Sequence, residues 1–258
     1  MNVEGLEIVI EGDRGPVVLM LHGWPDTLAL WDAQVDALRD RFRCVRFTLP
    51  GFESGRSRRA TSLQEMLTLF DKVVDVVSRD RPLVLLLHDW GCFFGYQYAM
   101  LRPDRVDRVI GIDIGDAGSP AHLASLTVPA KAMMASYQLW LAAAWRVGGS
   151  VGDAMTRALA RAIKAPAPPE RIHAGMNYPY DIRWTGSHGS YRDRRSLELA
   201  CPLLFIYGRR KPFMFHSPPW EAGIAAQPAC EVVVMDTGHW VMREQPAAVN
   251  DAILRWLG

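Results

Sequence analysis

A carboxylate stands where the chain passes from a predicted strand into a predicted helix. The short apolar run 83–87 leads into His88, Asp89, Trp90 and Gly91, and a helical stretch follows. A tight turn between a strand and a helix pushes one side chain out above the sheet, with the positive helix N-terminus beneath it. Asp89 holds that position. Its carboxylate is anionic at neutral pH, so it can attack a saturated carbon bearing a leaving oxygen or halide without help from a base.

The elements that position this turn follow a regular alternation. Short apolar runs, bounded by polar turns, are continuously hydrophobic, which is typical of parallel strands buried on both faces. Helical stretches lie between them. The runs are 16–21, 44–47, 82–87, 109–114, 202–207 and 231–235, and the helical stretches include 27–41, 62–78, 91–102 and 246–257. The alternation predicts an α/β fold with a mostly parallel central sheet flanked by helices.

One stretch, from about residue 118 to 196, shows no convincing strand and is rich in Met, Tyr and Trp. A proline-rich run at 165–169 divides it into two helical parts, because proline cannot continue a helix. We predict a core domain of residues 1–117 and 197–258 with a helical cap inserted at 118–196. Packing of extra helices accounts for most of these aromatic residues, but a lid over a pocket would also bury them.

The His-Asp-Trp-Gly sequence at 88–91 resembles the epoxide hydrolases and haloalkane dehalogenases of the α/β-hydrolase superfamily. Other matches come in the same order as in that family and cover nearly the whole chain. Residues 22–25 (His-Gly-Trp-Pro) resemble its oxyanion loop, 49–55 its following glycine-rich loop, and 237–240 (Thr-Gly-His-Trp) the segment of its catalytic histidine. Each motif alone is weak, but together they are specific. Leu87 departs from the pattern, which has a small residue there, so we expect a slightly distorted turn.

The resemblance implies a two-step hydrolysis. Asp89 displaces the leaving group and becomes an alkyl ester, which His239 opens by activating a water molecule. The oxyanion formed in that second step belongs to the former carboxylate of Asp89. We therefore expect the backbone N–H groups of Trp24 and Trp90 to point at it.

The leaving group separates the two subfamilies. An epoxide oxygen needs O–H donors, which epoxide hydrolases take from two cap tyrosines, whereas a halide needs N–H donors from Trp or Asn. The segments around Tyr137 and Tyr178 resemble the two tyrosine segments, with Tyr180 as a substitute for Tyr178, and this favours an epoxide. A dehalogenase would use Trp90, but Trp24 stands where many dehalogenases have Asn.

Further substrate contacts are expected beside the motifs and in the cap. These residues are His22, His88, Trp140, Tyr180 and Trp184.

The acid that supports His239 is harder to place. In most of the superfamily an acid stands near the position of Lys211, and a lysine cannot stabilise an imidazolium. Some haloalkane dehalogenases carry the acid just after the strand predicted at 109–114, at a position that Asp116 matches. We therefore predict Asp116, with Asp113 and Asp236 as competitors.

Composition excludes several other classes. The 258 residues carry 29 Lys and Arg against 28 Asp and Glu, a net charge of +1, and 49% are hydrophobic, so nothing indicates nucleic acid or a membrane as partner. The start of the chain lacks the pattern of a signal peptide, and we expect a soluble cytoplasmic protein. The spacing of the four cysteines and of the histidines indicates no metal, and no cofactor is expected.

The expected partner is a small apolar substrate, and the sequence leaves the oligomeric state open. An alkyl-halide hydrolase is the alternative. An esterase or lactonase is disfavoured because the chain has no Gly-x-Ser-x-Gly motif. A non-catalytic ligand-binding protein that kept the fold is a further alternative from a different class.

Overall fold

The computed structural model describes residues 1–55 and 58–258. The strands in this part of the chain are β1 (Asn2–Val3), β2 (Leu6–Glu7), β3 (Val9–Glu11), β4 (Val17–Leu21), β5 (Arg43–Arg46), β6 (Leu83–His88), β7 (Val106–Ile112), β8 (Leu203–Gly208) and β9 (Glu231–Met235). The α-helices are α1 (Asp32–Leu38), α2 (Leu63–Val77), α3 (Trp90–Leu101), α4 (Pro120–Ser125), α5 (Val128–Val147), α6 (Gly149–Ala162), α7 (Tyr178–Thr185), α8 (Pro218–Ala225), α9 (Val241–Glu244) and α10 (Pro246–Leu257).

One main sheet carries the fold. Its described strands run in the order β3-β5-β4-β6-β7-β8-β9, and every neighbouring pair is parallel except β3 with β5. Alternate residues of each central strand enter two different cores. In β4, for example, Val18 and Met20 belong to the core that includes α1 and α10, whereas Leu19 and Leu21 belong to the core with α2 and α3. Burial on both faces explains the continuous hydrophobicity, and the predicted α/β fold is confirmed.

Most predicted elements are present with shifted ends. The strand at 231–235 and the helix at 246–257 have the predicted bounds, while the stretch 27–41 divides into a 3-10 turn (Leu28–Trp31) and α1. The sequence pattern missed β1, β2 and β3, which are two or three residues long and too short to show a periodicity. The shift that matters for chemistry is in β7, which ends at Ile112 rather than at 114.

The chain between β7 and β8 is helical. It contains α4 to α7 and two 3-10 turns, and none of its residues is in a strand. We call residues 118–196 the helical segment. An ion pair between Arg146 and Asp181, with a 2.7 Å contact, joins α5 to α7, and Asn177 accepts a hydrogen bond from the indole of Trp24 at 2.7 Å. The hydrogen bond between Trp24 and Asn177 connects the helical segment to the loop after β4. The exact domain boundaries stay a prediction.

Two negative findings apply to residues 1–55 and 58–258. No helix there is long and apolar enough to cross a membrane. No group of three or more His, Cys, Asp or Glu side chains is arranged to hold a metal ion.

Candidate active site

Asp89 occupies the sharp turn between β6 and α3. Its backbone has φ 52° and ψ −123°, a region that side-chain-bearing residues rarely adopt. The turn also needs Gly91, because a Cβ at that position would lie 2.2 Å from the backbone oxygen of Leu21. This close crossing of two chain segments holds the Asp89 carboxylate at the carboxyl edge of the sheet.

The bulky Leu87 before this turn is accommodated by a gap on the following helix. A Cβ on Gly95 would lie 2.5 Å from Cδ2 of Leu87, so the leucine side chain fills the space left by that glycine. Leu87 is fully buried. Gly95, in the second turn of α3, therefore leaves the space that the side chain of Leu87 needs.

Backbone donors surround the Asp89 carboxylate. The N–H of Trp24 donates to Oδ1 at 2.6 Å, and the backbone of Trp90 also hydrogen-bonds the group. Gly23 allows this approach, since a Cβ there would lie 2.3 Å from the same Oδ1. The structure therefore brings the two backbone N–H groups predicted to form an oxyanion hole, those of Trp24 and Trp90, onto the carboxylate of Asp89.

His239 lies between two carboxylates. Its Nε2 is 3.7 Å from Oδ2 of Asp89, and its Nδ1 is 2.5 Å from Oδ2 of Asp113. Burial alone would lower the pKa of His239, but the hydrogen bond and charge of Asp113, followed by the nearby charge of Asp89, raise it to about 9. Burial alone would raise the pKa of Asp89, but its interactions with His239 outweigh that effect and lower it. Asp89 is therefore held as a carboxylate.

The acid at His239 is Asp113, and the prediction of Asp116 is wrong. Strand pairing explains the difference: His88 lies opposite Ile112 in the sheet, so the next residues, Asp89 and Asp113, leave adjacent strands side by side. Asp113 turns sharply at this point, with φ 71°.

Asp116 has other partners. Its carboxylate accepts hydrogen bonds from the backbone and hydroxyl of Ser217, at 2.6 and 2.8 Å, and from the hydroxyl of Ser119 at 2.6 Å. These bonds fix the loop after β7 to the N-terminus of α8. The remaining competitor, Asp236, is exposed and pairs with Arg209 at 3.2 Å.

Lys211 is not the acid that supports His239, but it pairs with that acid. Its ammonium pairs with Oδ1 of Asp113, which also accepts the backbone N–H of Gly208 at 3.2 Å. Both side chains are buried, with exposed fractions of 5% for Lys211 and 0% for Asp113. Burial raises the pKa of Asp113, but Lys211 and then His239 lower it below its ordinary value. A lysine that is buried requires an anionic partner nearby, so Lys211 itself marks the position of the acid.

A cavity of about 360 Å³ opens beside Asp89, between the sheet and the helical segment. Trp90 and Phe215 line it from the core, and Tyr137 and Tyr180 line it from the segment. The ring centroids of Tyr137 and Tyr180 are 6.2 Å apart. Burial raises the pKa of Tyr137 to about 12 and that of Tyr180 well above its ordinary value, so both hydroxyls keep their protons at neutral pH.

Tyr178 does not line this cavity, and the prediction that it faces the substrate is wrong. Its ring is fully buried against Phe52 and Trp145, with centroid distances of 6.0 and 6.1 Å. Tyr180 is two positions further along α7. Two helical positions differ by roughly 200° around the axis, so only one of the two rings can face the cavity.

Two predicted substrate contacts, His22 and His88, are instead buried structural residues. Nε2 of His22 accepts the backbone N–H of Leu49 at 2.9 Å and so connects the oxyanion loop to the glycine-rich loop. His88 contacts the backbone oxygen of His239 at 3.1 Å. Burial lowers the pKa of His22 to about 4 and that of His88 to about 3, so both rings are neutral at pH 7.

Trp140 and Trp184 also lie outside the cavity lining. Trp140 is 45% exposed and donates to the backbone oxygen of Met155 at 3.0 Å, which connects α5 to α6. Trp184 is 44% exposed and donates to Oε1 of Gln138 at 3.2 Å. Of the five predicted substrate contacts, Tyr180 alone lines the cavity.

The chain is similar to known hydrolases in sequence and in fold. A profile of the alpha/beta hydrolase family matches residues 18–252. An epoxide hydrolase of Caballeronia sordidicola is 25% identical over 96% of this chain and 89% of its own length. A solved epoxide hydrolase variant from Bacillus megaterium superposes with a TM-score of 0.75 at 21% identity, covering 98% of this chain and 96% of that one. A thermophilic esterase from Thermogutta terrifontis gives 0.68 at 21% identity, with 99% and 95% covered. The two structural similarities show a shared fold.

Proposed function

The chain belongs to the alpha/beta hydrolase family, and from that premise we propose that it hydrolyses an epoxide to a diol through an ester on Asp89. The observation that carries the proposal is the pair of tyrosines, Tyr137 and Tyr180, that shares a cavity with an ionised carboxylate. A carboxylate supplies the nucleophile, and phenol groups supply the O–H donors that an epoxide oxygen requires.

In the first step, an oxygen of Asp89 attacks one epoxide carbon and the carbon–oxygen bond of the ring breaks. Tyr137 and Tyr180 donate hydrogen bonds to the departing alkoxide, and one of the two phenols gives it a proton and becomes a phenolate. The product of this step is a hydroxyalkyl ester of Asp89. The 3.7 Å gap between Asp89 and His239 leaves the histidine free of a direct hydrogen bond to the nucleophile.

In the second step, neutral His239 takes a proton from water, and the resulting hydroxide attacks the ester carbonyl. The N–H groups of Trp24 and Trp90 already contact this carboxylate, so they are in place to stabilise the oxyanion, and such donors typically contribute about 3 kcal/mol each. Asp113 stabilises the imidazolium that forms. Collapse of the oxyanion breaks the ester bond, and the leaving alkoxide takes the proton of the imidazolium to complete the diol. The proton that remains on the carboxyl of Asp89 returns to the phenolate, which restores the carboxylate, the tyrosine and neutral His239.

An alkyl halide is a second candidate because Trp90 lines the cavity next to the nucleophile. Halide release needs more than one N–H donor, and the other indole of this region, that of Trp24, donates to Asn177 instead. The geometry therefore favours the epoxide. Loss of catalysis is disfavoured too, because the connected Asp89, His239 and Asp113 would have no reason to stay aligned in a purely binding protein.

We also propose that the helical segment acts as a cap. It contributes both tyrosines, while the core contributes the nucleophile, the histidine and the acid. Substrate would then bind between the two parts.

The test uses styrene oxide and 1-bromobutane, with formation of diol and of bromide measured separately. Wild-type protein should form the diol, and Asp89→Asn should form neither product. One turnover in oxygen-18 water should place the label on Asp89, because water attacks the ester carbonyl. Label found first in the diol would mean direct attack by water and would refute the covalent mechanism. Bromide release without diol formation would favour the dehalogenase instead.

A further inference from the structure

Basic side chains are concentrated on the helical-segment side of the cavity. Arg183, Arg192, Arg194 and Arg195 all line it. Within residues 1–55 and 58–258, no carboxylate oxygen lies within 4.0 Å of any of their guanidinium nitrogens. The whole chain has a net charge of only +1. The excess positive charge of these four arginines is therefore local to the cavity and is not a property of the whole chain.

Two of these arginines converge on Gly118, where the helical segment begins. A Cβ on Gly118 would lie 3.5 Å from both terminal nitrogens of Arg183, and Nη2 of Arg194 donates to the backbone oxygen of the same residue at 3.5 Å. Burial and then the charge of Arg194 lower the pKa of Arg183. Like charges placed together repel each other unless an anion lies between them.

Arg183 is also held in a fixed orientation. Its Nε donates to Oε1 of Gln138 at 3.1 Å, and Nε2 of Gln138 donates to the hydroxyl of Tyr137 at 3.3 Å. The two terminal nitrogens of Arg183 have no hydrogen-bond acceptor among the described residues. A guanidinium held through Nε presents its remaining donors as a planar fork, which matches the two oxygens of a carboxylate.

We propose that Arg183 and Arg194 form an anion subsite and that the substrate is an epoxide carrying a carboxylate remote from its ring. The inference rests on the proposed function and narrows it from an apolar substrate to an amphipathic one. The carboxylate binds at the arginines, the carbon chain lies against Tyr180 and Phe215, and the epoxide reaches Asp89. A monoanion is favoured over a dianionic phosphate because Asp89 lines the same cavity and repels additional negative charge.

The test compares terminal epoxy acids of six to ten carbons with their primary amides, which have the same size and no charge. Wild-type protein should show a higher kcat/KM for the acid of the fitting length, and salt should reduce the preference. Arg183→Gln and Arg194→Gln should each reduce kcat/KM for the acid about 10- to 100-fold more than for the amide, as expected for one charge-assisted hydrogen-bonded pair. Arg161→Gln is the matched control, since this exposed arginine of α6 does not line the cavity.

A binding measurement separates this inference from the proposed reaction. Saturated carboxylic acids of the same lengths cannot react, and calorimetry should show them binding to wild-type protein and weakly to Arg183→Gln. Such binding without turnover of any epoxide would support the subsite and refute the epoxide hydrolase. Turnover of acid and amide at equal rates, unaffected by either arginine variant, would refute the subsite and leave the reaction intact. Preference for an epoxyalkyl phosphate over the acid would overturn the carboxylate assignment.

Discussion

Replacing Asp113 by asparagine should separate the two chemical steps. Asn keeps the size of the side chain but not its charge, so the imidazolium of His239 loses its stabilising partner. The rise in the pKa of His239 from 6.5 to about 9 corresponds to roughly 3 kcal/mol, and Asp113 is its strongest favourable cause. Loss of most of that energy slows ester hydrolysis about 100-fold. Loss of the correct tautomer should bring the effect toward the roughly 10⁴-fold cost of removing a triad aspartate.

The same substitution should also destabilise the protein, because Lys211 would be left buried without its anionic partner. Breaking one side of a buried ion pair costs about 3–5 kcal/mol, and the exposed fractions of 5% and 0% place this pair in that range. Adding Lys211→Met removes the unpaired charge. The double variant Asp113→Asn/Lys211→Met should therefore recover most of the free energy of unfolding and none of the ester hydrolysis.

The assay is intact-mass spectrometry of the protein after rapid mixing with styrene oxide, combined with urea unfolding of each variant. Both variants that carry Asp113→Asn should accumulate protein heavier by the mass of one substrate. Asp116→Asn is the control, and it should turn over without accumulating an adduct. Normal turnover by the stable double variant, or a trapped adduct in Asp116→Asn alone, would refute the assignment of Asp113.

Three further perturbations test other parts of the site. Tyr137→Phe and Tyr180→Phe should each slow ester formation from an epoxide at least about 10-fold more than from 1-bromobutane, and stopped-flow measurements giving equal losses would mean that the rings only pack. The rate of ester hydrolysis should rise with pH, because His239 must be neutral to accept a proton. The midpoint of this rise should lie below the His239 pKa of about 9 in the free protein, since the ester removes the negative charge of Asp89. Identical midpoints in the ester and in an NMR titration of the free protein would contradict this reasoning. Gly95→Ala should destabilise the protein by about 1–3 kcal/mol through overpacking against Leu87, and Leu87→Ala added to it should lessen the loss in urea unfolding; no effect of Gly95→Ala would show that the leucine moves freely.

The sheet could be predicted from the sequence because its strands carry an unambiguous signal. Residues buried on both faces produce continuous apolar runs, and helix α2 begins at a Ser62–Glu65 capping box that fixes its first turn. The position of Asp89 at the edge of the sheet could be predicted for a related reason. A carboxylate between a buried strand and a glycine-containing helix start has few structural explanations other than exposure at the edge of the sheet.

The acid could not be predicted because its position depends on where β7 ends. Apolar residues continue on both sides of Asp113, so the hydrophobic pattern does not mark the end of the strand at Ile112. The pairing register between β6 and β7 decides which carboxylate lies beside Asp89. A single sequence does not reveal that register. The error at Tyr178 has a similar origin, since the rotation of α7 about its axis depends on packing rather than on spacing.

The pairing of Asp113 with Lys211 limits which side chains position 211 can carry. A carboxylate after β7 and a side chain after β8 reach the same small region beside His239. An acid at position 211 would face Asp113 without a counterion, and the repulsion between the two would protonate one of the carboxyls. Lys211 has the opposite effect, because its charge lowers the pKa of Asp113. The carboxylate of Asp113 therefore stays ionised whichever protonation state His239 takes.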